Sequence, residues 1–337
     1  MKRRHVALTL VLMWVGVLAV LLASLCLGRY PVSPQTVVRV LVARLVPIAR
    51  TWDATVETVV WQVRLPRLLA AALVGAALAS GGAVFQGLFH NPLVSPYVLG
   101  VSSGAGFGAA VAILLGAGAA ATQASAFATG ALAVSLTWLV ARSGRDRSHV
   151  TLVLAGFVIG SLFSSLVAGA QYVADPSTKL PQIVFWLMGS LASVQWSDLV
   201  RATVVIVPCL VAVTLLRWKL NVLSMGDDEA RSLGENPGLM RLILIGITTA
   251  MTAVSVAISG VIGWVGLVVP HLARGIMGPD ARRLIPASIA LGAIYMMLID
   301  DVARTLTMAE IPLGILTGIV GAPVFVLLLR RSRSDWD

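Results

Sequence analysis

A chain of 337 residues with 58% hydrophobic and only 12% charged side chains, at a mean hydropathy of +0.92, holds too little polar surface to coat a water-soluble globule. Its formal charge of +10 comes from 25 Lys and Arg against 15 Asp and Glu, and the basic residues are scattered between apolar runs rather than gathered on one face. That scatter argues against a nucleic-acid partner and fits loops flanking spans of a lipid bilayer, while two cysteines inside apolar stretches, Cys26 and Cys209, support neither a disulfide framework nor a thiolate metal site.

In chain order, Lys2, Arg3 and Arg4 precede an uncharged run from Val6 to Gly28. A run of about 20 residues spans a bilayer, whereas a cleaved leader core is usually about 7 to 15 residues. The stretch Leu22-Ala-Ser-Leu-Cys26 places bulky Leu25 where lipoprotein cleavage needs a small residue, so the run reads as a retained first span. Apolar segments then recur, giving in all 6–28, 66–88, 94–117, 120–140, 150–174, 199–216, 239–259, 261–276, 285–304 and 312–329. The outer loop from Arg29 to Trp61 contains VSPQTVVRVLVARL, with apolar positions near helical spacing, which predicts a short helix on the membrane surface. In DPSTKLPQIVFWLMGSL, the run from Ile183 to Leu191 after Pro176 and Pro181 is too short to span and predicts a partial helix packed on the outer ends of the spans.

The expected fold is therefore an all-α integral membrane protein of ten transmembrane helices, one domain over 1–337, with both termini on one side. Placing the N-terminus in the cytoplasm puts 16 of the 25 Lys and Arg there, the orientation that the bias of basic loops favours. On that side lies the polar island NVLSMGDDEARSLGENPGLMRL, Asn221 to Leu242. The spans themselves are rich in small residues, as in LVGAALASGGAVFQG and GVSSGAGFGAAVA, which let helices approach closely where lipid provides no hydrophobic drive, and which broken helices around a path would also need.

Four stretches carry a specific resemblance: RLPRLLAAALVGAALASGGAVFQGLFHNPLVSPYVLGVSSGAGFGAA, LGENPGLMR, SGVIGWVGLVVPHLAR and EIPLGILTGIVGAPVFVLLLR. From about Arg64 to Arg330 the chain resembles the iron-siderophore, haem and cobalamin uptake permeases, the membrane subunits of type II ATP-binding-cassette importers. The resemblance implies a homodimer with a second copy of the chain, two ATPase subunits beneath, and a periplasmic or lipid-anchored substrate-binding protein above, in the inner membrane of a prokaryote. It implies that residues 223–237 form the ATPase-coupling segment, on Leu223, Gly226, Asp227, Asp228, Glu229, Ala230, Arg231, Leu233, Gly234 and Asn236. Glycine turns and acidic side chains suit a polar segment that stands off the membrane and meets basic groups on a partner; a merely solvated loop is the other reading.

On the outer face, the resemblance implies that Arg64, Arg67 and Arg304 receive acidic residues of the binding protein. Exposed guanidiniums on helix ends suit bidentate carboxylate pairing, and they also suit snorkelling anchors. The inner gate falls by resemblance on Asn91 and Leu93 and on Ser148, His149 and Val150, where relatives often carry Ser or Thr in place of the last two. The chain is expected to bind no cofactor and no metal: ATP and Mg belong to the partner ATPase, because a phosphate loop needs Gly-Lys-Ser/Thr and none of Lys2, Lys179 and Lys219 follows a glycine. Histidines at 5, 90, 149 and 271 are too scattered for a site gripping bare zinc or manganese, whereas a chelated metal asks only for width and weak contacts. An ion-coupled carrier would need ionisable residues deep in spans, and Asp300, Asp301 and Glu310 lie near ends. A prenyl-diphosphate enzyme would need its aspartate pairs together, yet Asp227-Asp228 and Asp300-Asp301 fall on opposite sides.

Overall fold

Lipid offers a backbone amide no partner, so each apolar run must satisfy its own hydrogen bonds, and helices result. The computed structural model describes residues 3–44, 46–143 and 149–332, and every regular element among them is helical. In order these are α1 (Arg3–Cys26), α2 (Pro34–Val42), α3 (Ala54–Thr58), a π-helical turn (Val59–Arg64), α4 (Leu65–Leu88), a 3-10 turn (Pro96–Leu99), α5 (Val101–Leu114), α6 (Ala119–Ser143) and α7 (His149–Val173). There follow α8 (Lys179–Met188), α9 (Trp196–Leu223), α10 (Asp227–Ser232), α11 (Pro237–Ser259), α12 (Val265–Met277), α13 (Ala281–Thr305) and α14 (Leu313–Ser332).

Both short elements expected outside the spans are present. Helix α2 starts where Ser33 caps the Thr36 N–H and Pro34 supplies a preset first turn, and α8 covers the Lys179–Met188 stretch and stops at Gly189, whose φ of +77° an L side chain resists. The ten apolar runs divide into seven helices long enough to cross and three shorter ones, at Val101–Leu114, Val265–Met277 and Leu313–Leu327. At 1.5 Å per residue the 14 residues of α5 reach about 21 Å, short of a roughly 30 Å apolar layer. The expected spans 94–117 and 261–276 are each part helix and part non-helical backbone.

The longest helix, Ala54–Leu88, is continuous through its π-helical turn. Pro66 lacks an N–H and crowds the turn before it, and the preceding turn widens so that the Leu65 N–H reaches back to the Val60 carbonyl. Of its most apolar window 83% is buried, against 6% for α1, so α4 is the centre and α1 the lipid-facing edge. Helices α9, α11, α12 and α13 all pack on α4. Two contacts are made by glycines: a Cβ on Gly75 would collide with the Gly292 carbonyl of α13, and one on Gly82 with the Gly266 carbonyl of α12.

Candidate functional site

At one end of the α4–α13 pair, three guanidiniums meet three carboxylates. Arg67 Nε reaches both oxygens of Asp300 at 2.9 and 3.0 Å, and its Nη1 reaches Glu310 at 2.9 Å. Arg304 pairs with Asp301, lies 3.6 Å from Asp300 through Nε, and donates to the carbonyls of Leu27 and Ser24; Ser24 Oγ in turn donates to Asp301 at 2.5 Å. Arg64 differs: it donates to the Leu25 and Tyr30 carbonyls at 2.7 and 2.5 Å and has no carboxylate within 4.0 Å among the described residues. The expectation of exposed arginines is corrected here, since Arg64, Arg67 and Arg304 are only 4%, 6% and 6% exposed. Asp300, Asp301 and Glu310, drawn from the far end of the chain, pair with Arg67 and Arg304. A cleft of ≈190 Å3 runs down to the network past Gly28, Arg29, Tyr30 and Glu310.

The opposite face carries α10. Gly226 precedes it with φ +120°, and Gly234 follows with φ +80° as the left-handed residue of a Schellman motif: its N–H donates to the Arg231 carbonyl and that of Glu235 to the Ala230 carbonyl, both at 3.0 Å. Ala230, fully buried, seats the helix on the bundle, and Asn236 caps α11 through the Leu239 N–H. Leu223 is buried at the end of α9, whereas Met225 and Leu233 are 62% and 58% exposed. The four acidic groups do not all face outward. Asp227 pairs with Arg241, Nη1 at 2.9 Å, and Glu235 with Lys219 at 2.9 Å; Asp228 pairs with Arg231 on the exposed side, where Glu229 also lies.

Of the expected gate residues, Asn91 turns the chain after α4, its Oδ1 accepting the Leu93 N–H at 2.9 Å, and Leu93 is half exposed. The 3-10 turn that follows packs on α7, which begins at His149 and exposes Val150; Thr137 of α6 also holds the Leu99 carbonyl at 3.0 Å. Ser148 lies outside the described residues.

The two non-helical stretches meet beside α4, a feature absent from the sequence reading. Tyr97 Oη donates to the Ile262 carbonyl at 2.7 Å, linking the 3-10 turn after α4 to the segment between α11 and α12. Beside that segment, the Ser190 N–H reaches the carbonyl of Ser259, the last residue of α11, at 2.8 Å, and the Leu313 N–H reaches the Gly189 carbonyl at 2.9 Å. Non-helical backbone at membrane depth is tolerable only with such internal partners or beside a cavity. A cavity of ≈480 Å3 does adjoin it, walled by Gln123, Gln182, Trp186, Ser190, Ser193 and Gly260 and, among the described residues, by no charged side chain. Trp264, at φ +69°, holds a backbone conformation rare for a bulky residue, and Gly318 and Gly321 of α14 leave room for its side chain.

Broken helices around uncharged walls, with a polar helix standing off one face, define a multi-pass membrane permease of the kind that ABC import systems use. The chain belongs to the FecCD transport family, whose model matches residues 16–331. It is similar to the molybdate import system permease protein MolB of Haemophilus influenzae, 42% identical over 310 residues that cover 92% of this chain and 91% of the relative. It is also similar to the vitamin B12 import system permease protein BtuC of Salmonella paratyphi A, 40% identical over 334 residues, 98% of this chain and 97% of that one. Among solved structures, a metal-chelate type ABC transporter in an inward-facing conformation superposes with a TM-score of 0.87 at 39% identity, over 96% of this chain and 99% of that chain. These relatives are transport permeases and not enzymes, and the aspartate pairs of this chain are engaged with arginines.

Proposed function

We propose that this chain carries a metal chelate, of the ferric siderophore, haem or corrinoid class, across a prokaryotic inner membrane as one half of a homodimer. Both termini lie in the cytoplasm. Two ATPase subunits bind and hydrolyse ATP with Mg beneath the α10 face, and a substrate-binding protein docks on the face of the arginine network. The observation that carries the reading is α10 itself: a helix bounded by two positive-φ glycines, anchored by Ala230, presenting Met225, Leu233, Asp228 and Glu229 outward. Exposed apolar side chains on a polar face fit a protein partner better than water. Uncharged cavity walls fit a bulky neutral or wrapped cargo that must be released as readily as it enters. Arg64, held among the described residues by neutral carbonyls, is the member of the outer trio best placed to take a partner's carboxylate through the cleft. Asn91, Leu93 and the Ser148–Val150 segment form the inner gate, coupled to α10 through the bundle.

Gly234→Arg tests this. At φ +80° with open space around it, the substitution strains the elbow by about 1 kcal/mol without disturbing the core. With the chain reconstituted alongside its ATPase and binding protein, membrane insertion and ATP hydrolysis persist, while uptake per ATP falls by about tenfold or more, equivalent to roughly 1.4 kcal/mol of lost coupling. Undiminished ATP-driven uptake would remove the coupling assignment. Uptake of ferric siderophore, haem, corrinoid and molybdate, compared in the same vesicles, identifies the cargo.

A further inference from the structure

A second cleft, of ≈310 Å3, opens on the α10-bearing face between four helix ends: the last turns of α4, α9 and α12 and the first turn of α13. Gln86, Leu220, Asn221, Arg274, Ala281 and Leu284 are among the side chains that shape it. Arg274 is half-buried, and its hydrogen-bond partner among the described residues is neutral, the Oε1 of Gln86 at 3.2 Å. No carboxylate lies within 4.0 Å of it among those residues, whereas Arg241, also half-buried, and the more deeply buried Arg67 and Arg304 each have at least one. Asp280, at the rim, is already committed to the Asn221 amide at 2.6 Å and the Arg282 N–H at 2.9 Å.

A partly desolvated guanidinium without a counter-charge is costly unless a ligand supplies one. This one is also oriented. Gln86 is fixed by its own amide, which donates to the Gly266 and Leu267 carbonyls at 3.3 and 3.4 Å, so its oxygen holds one edge of Arg274 and leaves the remaining N–H groups for an anion. Two parallel N–H groups match the oxygens of a phosphate. The rim adds position: Arg282 of α13 stacks over Trp218 of α9 at 3.9 Å, immediately beside the cleft, and a Trp with a basic partner is characteristic of headgroup level. Basic pockets between membrane helices hold anionic headgroups.

We infer that this cleft is a phosphate-binding site centred on Arg274, filled by the headgroup of an anionic phospholipid. The site depends on the membrane setting of the bundle and not on which cargo is carried, and Asn91 of the proposed gate also lines it.

The test is thermal melting of the purified, delipidated full chain in detergent, titrated with phosphatidylglycerol, phosphatidylcholine or inorganic phosphate. Wild type is stabilised by phosphatidylglycerol and much less by phosphatidylcholine. In Arg274→Gln the half-saturating phosphatidylglycerol concentration rises by about tenfold or more, the counterpart of roughly 1.4 kcal/mol. Arg274→Lys, which keeps the charge but not the fork, falls between, and Arg201→Gln, near the start of α9 on the other face, responds as wild type. If inorganic phosphate stabilises through Arg274 and phosphatidylglycerol does not, the same anion site is served by a soluble phosphate. Equal responses of wild type and both Arg274 variants to phosphatidylglycerol overturn the inference. So does a loss of ATPase affinity in Arg274→Gln with lipid retention unchanged, which would assign the guanidinium to a protein carboxylate.

Discussion

Arg67→Met separates a structural from a docking role for the arginines of the α4–α13 network. The side chain donates to both oxygens of Asp300 through Nε and to Glu310 through Nη1, and Asp300 is fully buried. Methionine keeps most of the apolar stem while deleting the charge. Asp300 then retains only Arg304, whose Nε is 3.6 Å away and whose closer carboxylate is Asp301. Breaking a buried pair from one side costs roughly 3–5 kcal/mol, because the remaining carboxylate is left uncompensated in a medium that cannot solvate it. Substituting both partners, Arg67→Met with Asp300→Leu, removes the orphan charge, so the double variant should melt well above the sum of the single losses. The assay is thermal melting of the purified chain in detergent without any partner, with the four members of the cycle compared. An arginine that serves only as a surface contact would shift stability within about 0.5 kcal/mol. If Arg67→Met melts like wild type and loses only its affinity for the binding protein, the buried-network reasoning is wrong.

Three further outcomes follow from the same geometry. Gly75→Ala pushes its Cβ into the Gly292 carbonyl and should cost about 1–3 kcal/mol, whereas Gly246→Ala on α11, with open space around it, should be neutral or stabilising by up to about 1 kcal/mol; melting temperatures of the two variants decide this. Tyr97→Phe deletes the hydrogen bond to Ile262 for about 1 kcal/mol, and hydrogen exchange of residues 260–264 should speed up while α13 is unchanged. At the start of α13, burial raises the Asp280 carboxyl, but the Asn221 amide, the Arg282 N–H and the charges of Arg282 and Arg283 outweigh it and hold the group below its usual value of 3.8. A depressed carboxylate stabilises the fold above its unfolded pKa and loses that contribution as pH falls through the folded value. Stability should therefore decline below about pH 4, and Asp280→Asn should flatten that decline while keeping the cap.

What could be read from the sequence was whatever depends on local pattern. Uninterrupted apolar length located the helices that cross, since burying backbone in lipid permits no other regular solution for them. Prolines and glycines marked the elements outside: Pro34 opens α2, and Gly226 and Gly234 bracket α10. The breaks were not visible. The run 94–117 carries no charged residue and 261–276 meets its first polar side chains only at His271 and Arg274, so hydropathy registers an unwound stretch such as 260–264 as strongly as a wound one; Gly260, Gly263, Pro96 and Gly100 were the local hints.

The arginines of the α4–α13 network illustrate the other limit. Judged alone at helix ends, Arg64 and Arg67 look exposed, because the groups that hold them are remote in sequence: for Arg67, Asp300 is 233 positions away and Glu310 is 243, and for Arg64, the Leu25 and Tyr30 carbonyls are 39 and 34 positions away. Only the spacing of Asp300 and Asp301 to Arg304, one helical turn, was a local sign of internal pairing. Charge in a membrane protein must be neutralised somewhere, and a span-end arginine has three outlets: water, a partner or a distant carboxylate. Sequence position distinguishes none of these, whereas a count of carboxylates at the ends of other spans on the same side does narrow the choice. Applied here, alternation of the spans puts Asp300, Asp301 and Glu310 on the side of Arg64, Arg67 and Arg304, and those three carboxylates are the signal from which the pairing of Arg67 and Arg304 could have been anticipated.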